Sequence, residues 1–320
     1  SLAQRYARHP FGLELWVGIG ILLVFVAAAL SALVVFAGSL GTLAENPAWQ
    51  PGWVAIGPSW QYPFGILSGF GVNLLDAVWQ ATPWDLTIVL SILAIDAGLG
   101  VLLGATAALT EGRWPDTVIS FVSDSLGSIP SVFLDVNVYL GITIYDPGSI
   151  GLPLFVLIFG LLLWPTIART VRARVRVIAQ RAFVESARAS GASRGRILTR
   201  HVLPNALSPA LAQVPIDVAA IFLVLTFFPY FYNCGPFLPR SSGPAWLLPN
   251  LAPVSPLPSA AFPEWGFQLA IGACETLLLP GAPIWWWEFF FPLLAIVALG
   301  LGLALAADGL DRWLRSGDSN

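Results

Sequence analysis

Three aspartates, Asp96, Asp124 and Asp217, lie in stretches that are otherwise apolar enough to cross a membrane. A carboxyl group inside a bilayer is costly, so it usually faces the interior of a helix bundle or a water-filled path. We therefore predict that these aspartates line a conduit or pair across subunits. A second interpretation stays open, in which each one lies near a membrane interface, is protonated or caps a helix break, as Asp124 would near Pro130.

The composition argues against several other kinds of chemistry. Neither of the two histidines, His9 and His201, lies in a predicted span, so the pattern does not resemble a proton relay. No cluster of Cys and His indicates a metal site. All fifteen basic side chains are Arg, and without Lys the phosphate-binding loop G-x-x-x-x-G-K-[ST] cannot exist. We therefore expect no catalytic residue and no cofactor in this chain.

The most informative segment is 164–205, which is strongly basic and reads as helix, break, helix. Small residues, Ser186 and Ala187, follow Glu185 on a short helical piece. Gly191 can adopt the left-handed conformation that ends a helix. The pattern predicts a compact knob whose small side chains permit the close approach of a partner.

The elements that must position these residues are membrane helices. The chain is 57% hydrophobic and only 10% charged, whereas a soluble domain carries about 25% charged residues. A bilayer core needs roughly 20 apolar residues per helix, and six stretches qualify. We predict an all-α integral membrane protein with spans at 11–36, 84–110, 117–142, 151–167, 209–231 and 285–307. The remaining segments are 1–10, 37–83, 168–208, 232–284 and 308–320.

The distribution of arginine sets the orientation. With six spans, fourteen of the fifteen arginines fall on one side, nine of them between Arg169 and Arg200, and only Arg240 falls on the other. Arginine concentrates in cytoplasmic loops of membrane proteins. We therefore predict that both termini and the segment 168–208 are cytoplasmic.

Two long outer segments, 37–83 and 232–284, are rich in Pro, Gly and Trp and poor in charge. They are either loops lying over the membrane or a docking surface for an external partner. Cys234 and Cys274 both fall in the second of them. An oxidising exterior permits a disulfide there, and two unrelated thiols are the alternative.

Seven residues of the basic segment stand at a recognisable spacing: Glu185, Ser186, Ala187, Gly191, His201, Leu203 and Pro204. The set resembles the EAA loop of ABC import permeases, with Ser186 in place of one alanine. His201 followed by Val-Leu-Pro-Asn is similar to the C-type subunits of the dipeptide and oligopeptide branch. The resemblance implies a type I ABC importer permease fold in a prokaryotic inner membrane.

The same resemblance implies a role and a set of partners. The knob would be the coupling helix that sits in a groove of an ATPase subunit. The expected partners are a second similar permease, two cytoplasmic ATPases that bind ATP and Mg, an extracytoplasmic substrate-binding protein and the lipid bilayer. Nucleic acid is not expected. The chain would form half of a translocation path for peptides or a related small solute.

Two departures from that family keep alternatives open. Around Gly65 the outer motif Gly-Thr-Asp is not recognisable, and the region LVLTFFPYFYNCG after span five has no acid. The substrate therefore stays open, with an oligosaccharide as one candidate. Two other functions also stay open: a non-transporting membrane subunit of a larger complex, and an ion-coupled secondary transporter, which would predict inverted repeats.

Overall fold

The computed structural model of the chain describes residues 12–37, 56–67, 72–128, 151–191, 208–234, 264–278 and 285–316. Within these residues there are eight helices and one two-stranded antiparallel sheet. The helices are α1 Leu13–Val35, α2 Leu74–Leu109, α3 Trp114–Ser128, α4 Gly151–Ala179, α5 Ala182–Ala189, α6 Ser208–Cys234, α7 Trp265–Leu278 and α8 Trp286–Ser316. The strands are β1 Ile66–Leu67 and β2 Val72–Asn73.

Five of the described helices, α1, α2, α4, α6 and α8, are long and apolar enough to cross a membrane. The predicted span 117–142 is helical in α3 as far as Ser128, and its remainder lies outside the described residues. The prediction of an all-α membrane protein is therefore confirmed, with the small β1–β2 hairpin as an addition.

Four helices extend beyond the predicted spans: α2, α4, α6 and α8. Helix α2 begins at Leu74 rather than at residue 84, because the Asn73 side chain caps it by accepting a hydrogen bond from the Leu75 N–H at 3.2 Å. Helix α4 continues to Ala179 instead of ending at residue 167. Its 29 residues extend about 43 Å, which exceeds the roughly 30 Å of a bilayer core. Part of the segment 168–208, predicted as a loop, is therefore helical and packs against Ala97, Val101 and Ala108 of α2. We call α4 beyond residue 167, the end of the predicted span, its projecting part.

Glycines allow the main helix pairs to approach closely. A Cβ atom on Gly100 of α2 would lie 2.6 Å from Ile167 of α4, and one on Gly104 would lie 2.5 Å from the Ala168 carbonyl oxygen. Helices α1 and α8 are antiparallel, since Gly18 lies against Ala306 while Gly302 and Gly309, further along the chain, face Ile21 and Leu15, respectively. Small residues at such crossings are the usual basis of helix packing in membranes.

We expect Gly18→Leu to separate α1 from α8. A Cβ atom at position 18 would lie 2.5 Å from the Ala306 nitrogen and 2.9 Å from the Gly302 oxygen, and both are backbone atoms that cannot move aside. Overpacking of this kind costs about 1–3 kcal/mol. The thermal midpoint of the detergent-purified protein should fall, whereas Gly20→Leu, where a Cβ atom meets nothing within 4 Å, should leave it unchanged. Equal effects of the two substitutions would contradict this packing.

The arginine-bearing ends of the helices lie together. The Trp79 Nε1–H donates to the Ala28 carbonyl at 3.0 Å, so the start of α2 lies beside the end of α1. The end of α2 therefore lies at the level of the start of α1, where Glu14 pairs with Arg312 of α8 at 3.0 Å. We call this level, which also holds Arg172 of α4, the arginine end of the bundle. It is the end that the sequence analysis predicts to be cytoplasmic.

Candidate functional site

Helix α5 is a short helix held against the arginine end of α4. Its Val184 side chain is fully buried and belongs to one apolar cluster with Val171, Val175 and Ile178 of α4. Ala210 at the start of α6 completes the contact. A movement of α5 must therefore displace the projecting part of α4.

The polar face of α5 is open to solvent. Glu185 and Ser186 are both exposed, and the Ser186 hydroxyl donates back to the Ala182 carbonyl at 3.0 Å. Gly191 ends the knob with a φ of 83°, a conformation that favours glycine. None of the described residues forms an ion pair with Glu185 on this face.

The remaining predicted residues of this segment are less fully described. Ala187 lies in α5, and the position of its side chain is not described. His201, Leu203 and Pro204 lie outside the described residues. The contribution to coupling of all seven predicted residues, including Glu185, Ser186 and Gly191, stays a prediction.

An ionic cluster joins α3 to the projecting part of α4. Asp116, in the first turn of α3, is buried and contacts the Arg172 guanidinium through Oδ1. Its Oδ2 lies 3.5 Å from Nη2 of Arg176, which also reaches Glu111 at 3.1 Å. The Gly112 N–H donates to the same carboxylate at 3.2 Å. Asp116 was not predicted as a site residue from the sequence. The (i, i+4) spacing of Arg172 and Arg176 places both on one face of a helix, which was a usable signal for an acidic partner.

The three aspartates of the predicted conduit occupy different environments. Asp96 of α2 is fully buried inside the chain, and it interacts with Asp217 of α6, which is only 4% exposed. The Gln213 side chain donates to Asp217 at 3.0 Å, while both Asp96 oxygens lack a hydrogen-bond partner within the described residues. Asp124 is exposed on α3, 3.9 Å from Arg169. The structure thus brings Asp96 and Asp217 together. The prediction that the three aspartates line a path stays a prediction.

We expect Asp96→Asn to stabilise the protein. Two facing carboxyls repel each other when both are charged, and the described residues place no cation beside Asp96. An amide at position 96 would donate to Asp217, a gain of about 1 kcal/mol. The thermal midpoint should rise by about 2–4 °C. Asp124→Asn is the exposed control, and a lower midpoint for Asp96→Asn would contradict the unpaired arrangement.

A second acidic pair holds the beginning of α7, a helix that the sequence analysis did not predict. The Trp265 N–H donates to Oδ2 of Asp85 at 3.0 Å, and Glu264 accepts from the Gly266 and Phe267 N–H groups. Carboxylates are favourable at this position, because a helix N-terminus carries free N–H groups and partial positive charge. The Asp85 carboxylate therefore joins α7 to α2, whereas Glu264 caps the first turn of α7 itself.

The Trp265 ring fixes the depth at which α7 begins. It contacts the rings of Phe25, near the middle of α1, and Phe222, near the middle of α6. Its Nε1–H donates to the Val78 carbonyl at 2.9 Å. Helix α7 thus begins inside the bundle, within the segment 232–284 that was predicted to lie outside.

The predicted disulfide between Cys234 and Cys274 remains a prediction. Cys234 ends α6 and Cys274 lies in α7, but neither side chain is among those described. No group of three or more His, Cys, Asp or Glu residues suited to a metal ion occurs in the described part of the chain.

These features define a class of protein. Several apolar helices form a multi-pass membrane bundle, and one helix projects from it with a short, polar helix at its tip. This architecture, with glycine-mediated crossings and buried carboxyls, is that of a multi-pass membrane protein rather than of a single-span anchor.

Comparison with known proteins agrees with this class. Residues 100–237, which contain α3–α6, match the family described as binding-protein-dependent transport system inner membrane component. A protein of Brucella abortus, named as a peptide transport system permease, is 28% identical over 310 residues, covering 96% of this chain and 88% of its own length. A Brucella ovis protein named as a peptide permease is 28% identical over 79% of this chain and 72% of its own length.

A third relative, from Shigella dysenteriae, is named as a glutathione transport system permease. It is 29% identical over 254 residues, covering 79% of this chain and 72% of its own length. The matched family and the names of these relatives support a permease subunit of an ABC importer.

Proposed function

We propose that α5 is the coupling helix of this permease, through which ATP-driven movements of cytoplasmic ATPase subunits reach the membrane helices. The observation that carries the proposal is the combination of an exposed Glu185 and Ser186 with a fully buried Val184 on one short helix. The exposed face offers a contact to a partner, and the buried face fixes the helix to α4. Because α5 is a rigid helix fixed to α4, a displacement of α5 is transmitted to α4 as a rigid-body movement.

The proposed assembly contains a second similar permease, two ATPases that bind ATP and Mg, and an extracytoplasmic substrate-binding protein. This chain supplies half of the translocation path, and both of its termini are cytoplasmic. The clustering of Glu14, Arg172 and Arg312 at one level supports that orientation, since arginine favours the cytoplasmic side.

The proposed substrates are peptides or a related small solute. The names of the relatives from Brucella and Shigella, which refer to peptides and glutathione, support this class.

Co-expression of this chain with candidate ATPase and permease subunits tests the proposal. An affinity tag on this chain should retain both other kinds of subunit, and liposomes containing the complex should accumulate labelled glutathione or a labelled tripeptide only with ATP and the binding protein. Retention of no ATPase would overturn the coupling role. Retention with ATP hydrolysis but uptake of neither peptide would overturn the substrate class alone.

A further inference from the structure

The carboxylate of Asp116 is buried at the arginine end of the bundle. Its side chain is only 8% exposed, yet it meets two arginines of another helix, Arg172 and Arg176. Ionic groups taken out of water are costly unless each has partners. Asp116 satisfies that requirement with two guanidinium groups and the Gly112 N–H, and its Oδ1 lies 3.5 Å from the Ser120 hydroxyl.

The cluster formed by Asp116, Arg172 and Arg176 lies where α3 meets the end of α4. The two arginines lie one turn apart on the part of α4 that projects beyond the predicted span. That same part of α4 carries Val171, Val175 and Ile178, which hold Val184 of α5. On its other side Asp116 lies in the first turn of α3, directly after the turn that ends α2. The carboxylate therefore stands between the α5 knob and the α2–α3 connection.

The turn between α2 and α3 also contributes residues to this cluster. Gly112 has a φ of 72°, and its N–H points at Oδ2 of Asp116. Glu111 in the same turn reaches Arg176 at 3.1 Å. Three elements, the turn, α3 and the projecting α4, therefore meet at one carboxylate, which makes their relative movement costly.

We propose that Asp116 is a positioning residue that couples α5 and the projecting part of α4 to α3, so that a displacement of the knob is passed to the α2–α3 hairpin. The inference rests on the proposed coupling role of α5. Asp116 touches no substrate and acts only through Arg172 and Arg176. Its neighbour Asp124 provides a matched comparison, because it lies on the same helix, is 70% exposed and is 3.9 Å from Arg169.

Distance measurements between spin labels test the proposal. With Cys234 and Cys274 replaced by Ser, labels are attached through Thr117→Cys on α3 and Ser190→Cys at the end of α5, two exposed positions. The distance is recorded at rest and after trapping the complex with ATP and vanadate. In the parent protein the distribution should be narrow and should keep its mean, because the two elements move together.

Asp116→Asn should broaden the resting distribution and shift its mean on trapping by about 2–5 Å, the scale of helix displacements in switching proteins. Asp124→Asn should keep the narrow resting distance distribution of the parent protein and its unchanged mean on trapping. ATP hydrolysis should persist in Asp116→Asn while labelled tripeptide accumulated per ATP falls at least tenfold, a loss of coupling that lower stability alone would not cause. If Asp116→Asn does not reach the membrane, Arg176→Gln, which keeps the Arg172 contact, takes its place.

Two results would overturn the proposal: a resting distribution in Asp116→Asn as narrow as that of Asp124→Asn, or a parent protein whose distance shifts on trapping. The resting measurement requires no ATPase, so it remains decisive even without a motor subunit. Failure of the parent complex to bind ATPases would instead overturn the proposed function. The two failures are therefore distinguishable.

Discussion

Glu185→Arg should abolish retention of the ATPase subunits while leaving the membrane bundle intact. The carboxylate is exposed on α5 and has no ion-pair partner within the described part of the chain, so its removal costs the isolated subunit little. At an interface, reversing a charge costs several kcal/mol, and about 1.4 kcal/mol corresponds to a tenfold change in affinity. The amount of ATPase that co-purifies should therefore fall tenfold or more.

The control for this substitution is Asp308→Arg. Asp308 is also an exposed acid at the arginine end, 3.7 Å from Arg312 of the same helix, and a surface pair of this kind contributes little. Asp308→Arg should retain the ATPase subunits, and both variants should keep the thermal midpoint of the parent protein. Equal losses of ATPase in the two variants would indicate a general charge effect and contradict a specific role of α5.

Trp265→Ala should produce the largest loss of stability in the described structure. The indole is fully buried, contacts Phe25 and Phe222, and donates from Nε1 to the Val78 carbonyl at 2.9 Å. Its removal leaves a cavity and deletes this hydrogen bond, although the Val78 carbonyl still accepts from the Thr82 hydroxyl at 3.1 Å. Substitutions of this type cost about 3–5 kcal/mol, which corresponds to a fall in thermal midpoint of about 6–12 °C even at the lower figure.

Two comparisons separate the contributions to this loss. Trp60→Ala removes the same side chain from an exposed position and should leave the midpoint unchanged. Trp265→Phe keeps an aromatic ring but removes the Nε1 donor. Because the Val78 carbonyl keeps the Thr82 hydroxyl as a donor, this substitution should cost only about 0.5–1.5 kcal/mol. A midpoint for Trp265→Ala within 2 °C of the parent protein, taken as roughly 1 kcal/mol or less, would contradict insertion of α7 into the bundle.

The membrane helices could be predicted from sequence because a bilayer imposes a simple length and composition on them. Helices α1, α2, α4, α6 and α8 each contain a predicted apolar stretch. The knob at Glu185 could be predicted too, since small residues and a terminal glycine mark it locally. The projection of α4 to Ala179 could not, because hydropathy records where a helix leaves the apolar layer and not where it ends.

The remaining features depend on contacts between residues distant in sequence. Helix α7 has 14 residues, too few to span a bilayer, and its position follows from a hydrogen bond to Asp85, 180 residues away. Asp96 and Asp217 were each predicted as path-lining, but their mutual contact required the packing of α2 on α6. The Asp116 cluster likewise joins helices that sequence periodicity treats separately.

The most direct test of the central claim is cross-linking from α5 in intact membranes. A single cysteine at position 186, in a chain with Cys234 and Cys274 replaced by Ser, is treated with a short bifunctional reagent and, separately, with a membrane-impermeant maleimide applied from outside. We expect a cross-linked product with the ATPase subunit and no labelling from outside. Labelling of Ser186→Cys from outside, or no ATPase product in the assembled complex, would contradict a cytoplasmic coupling helix.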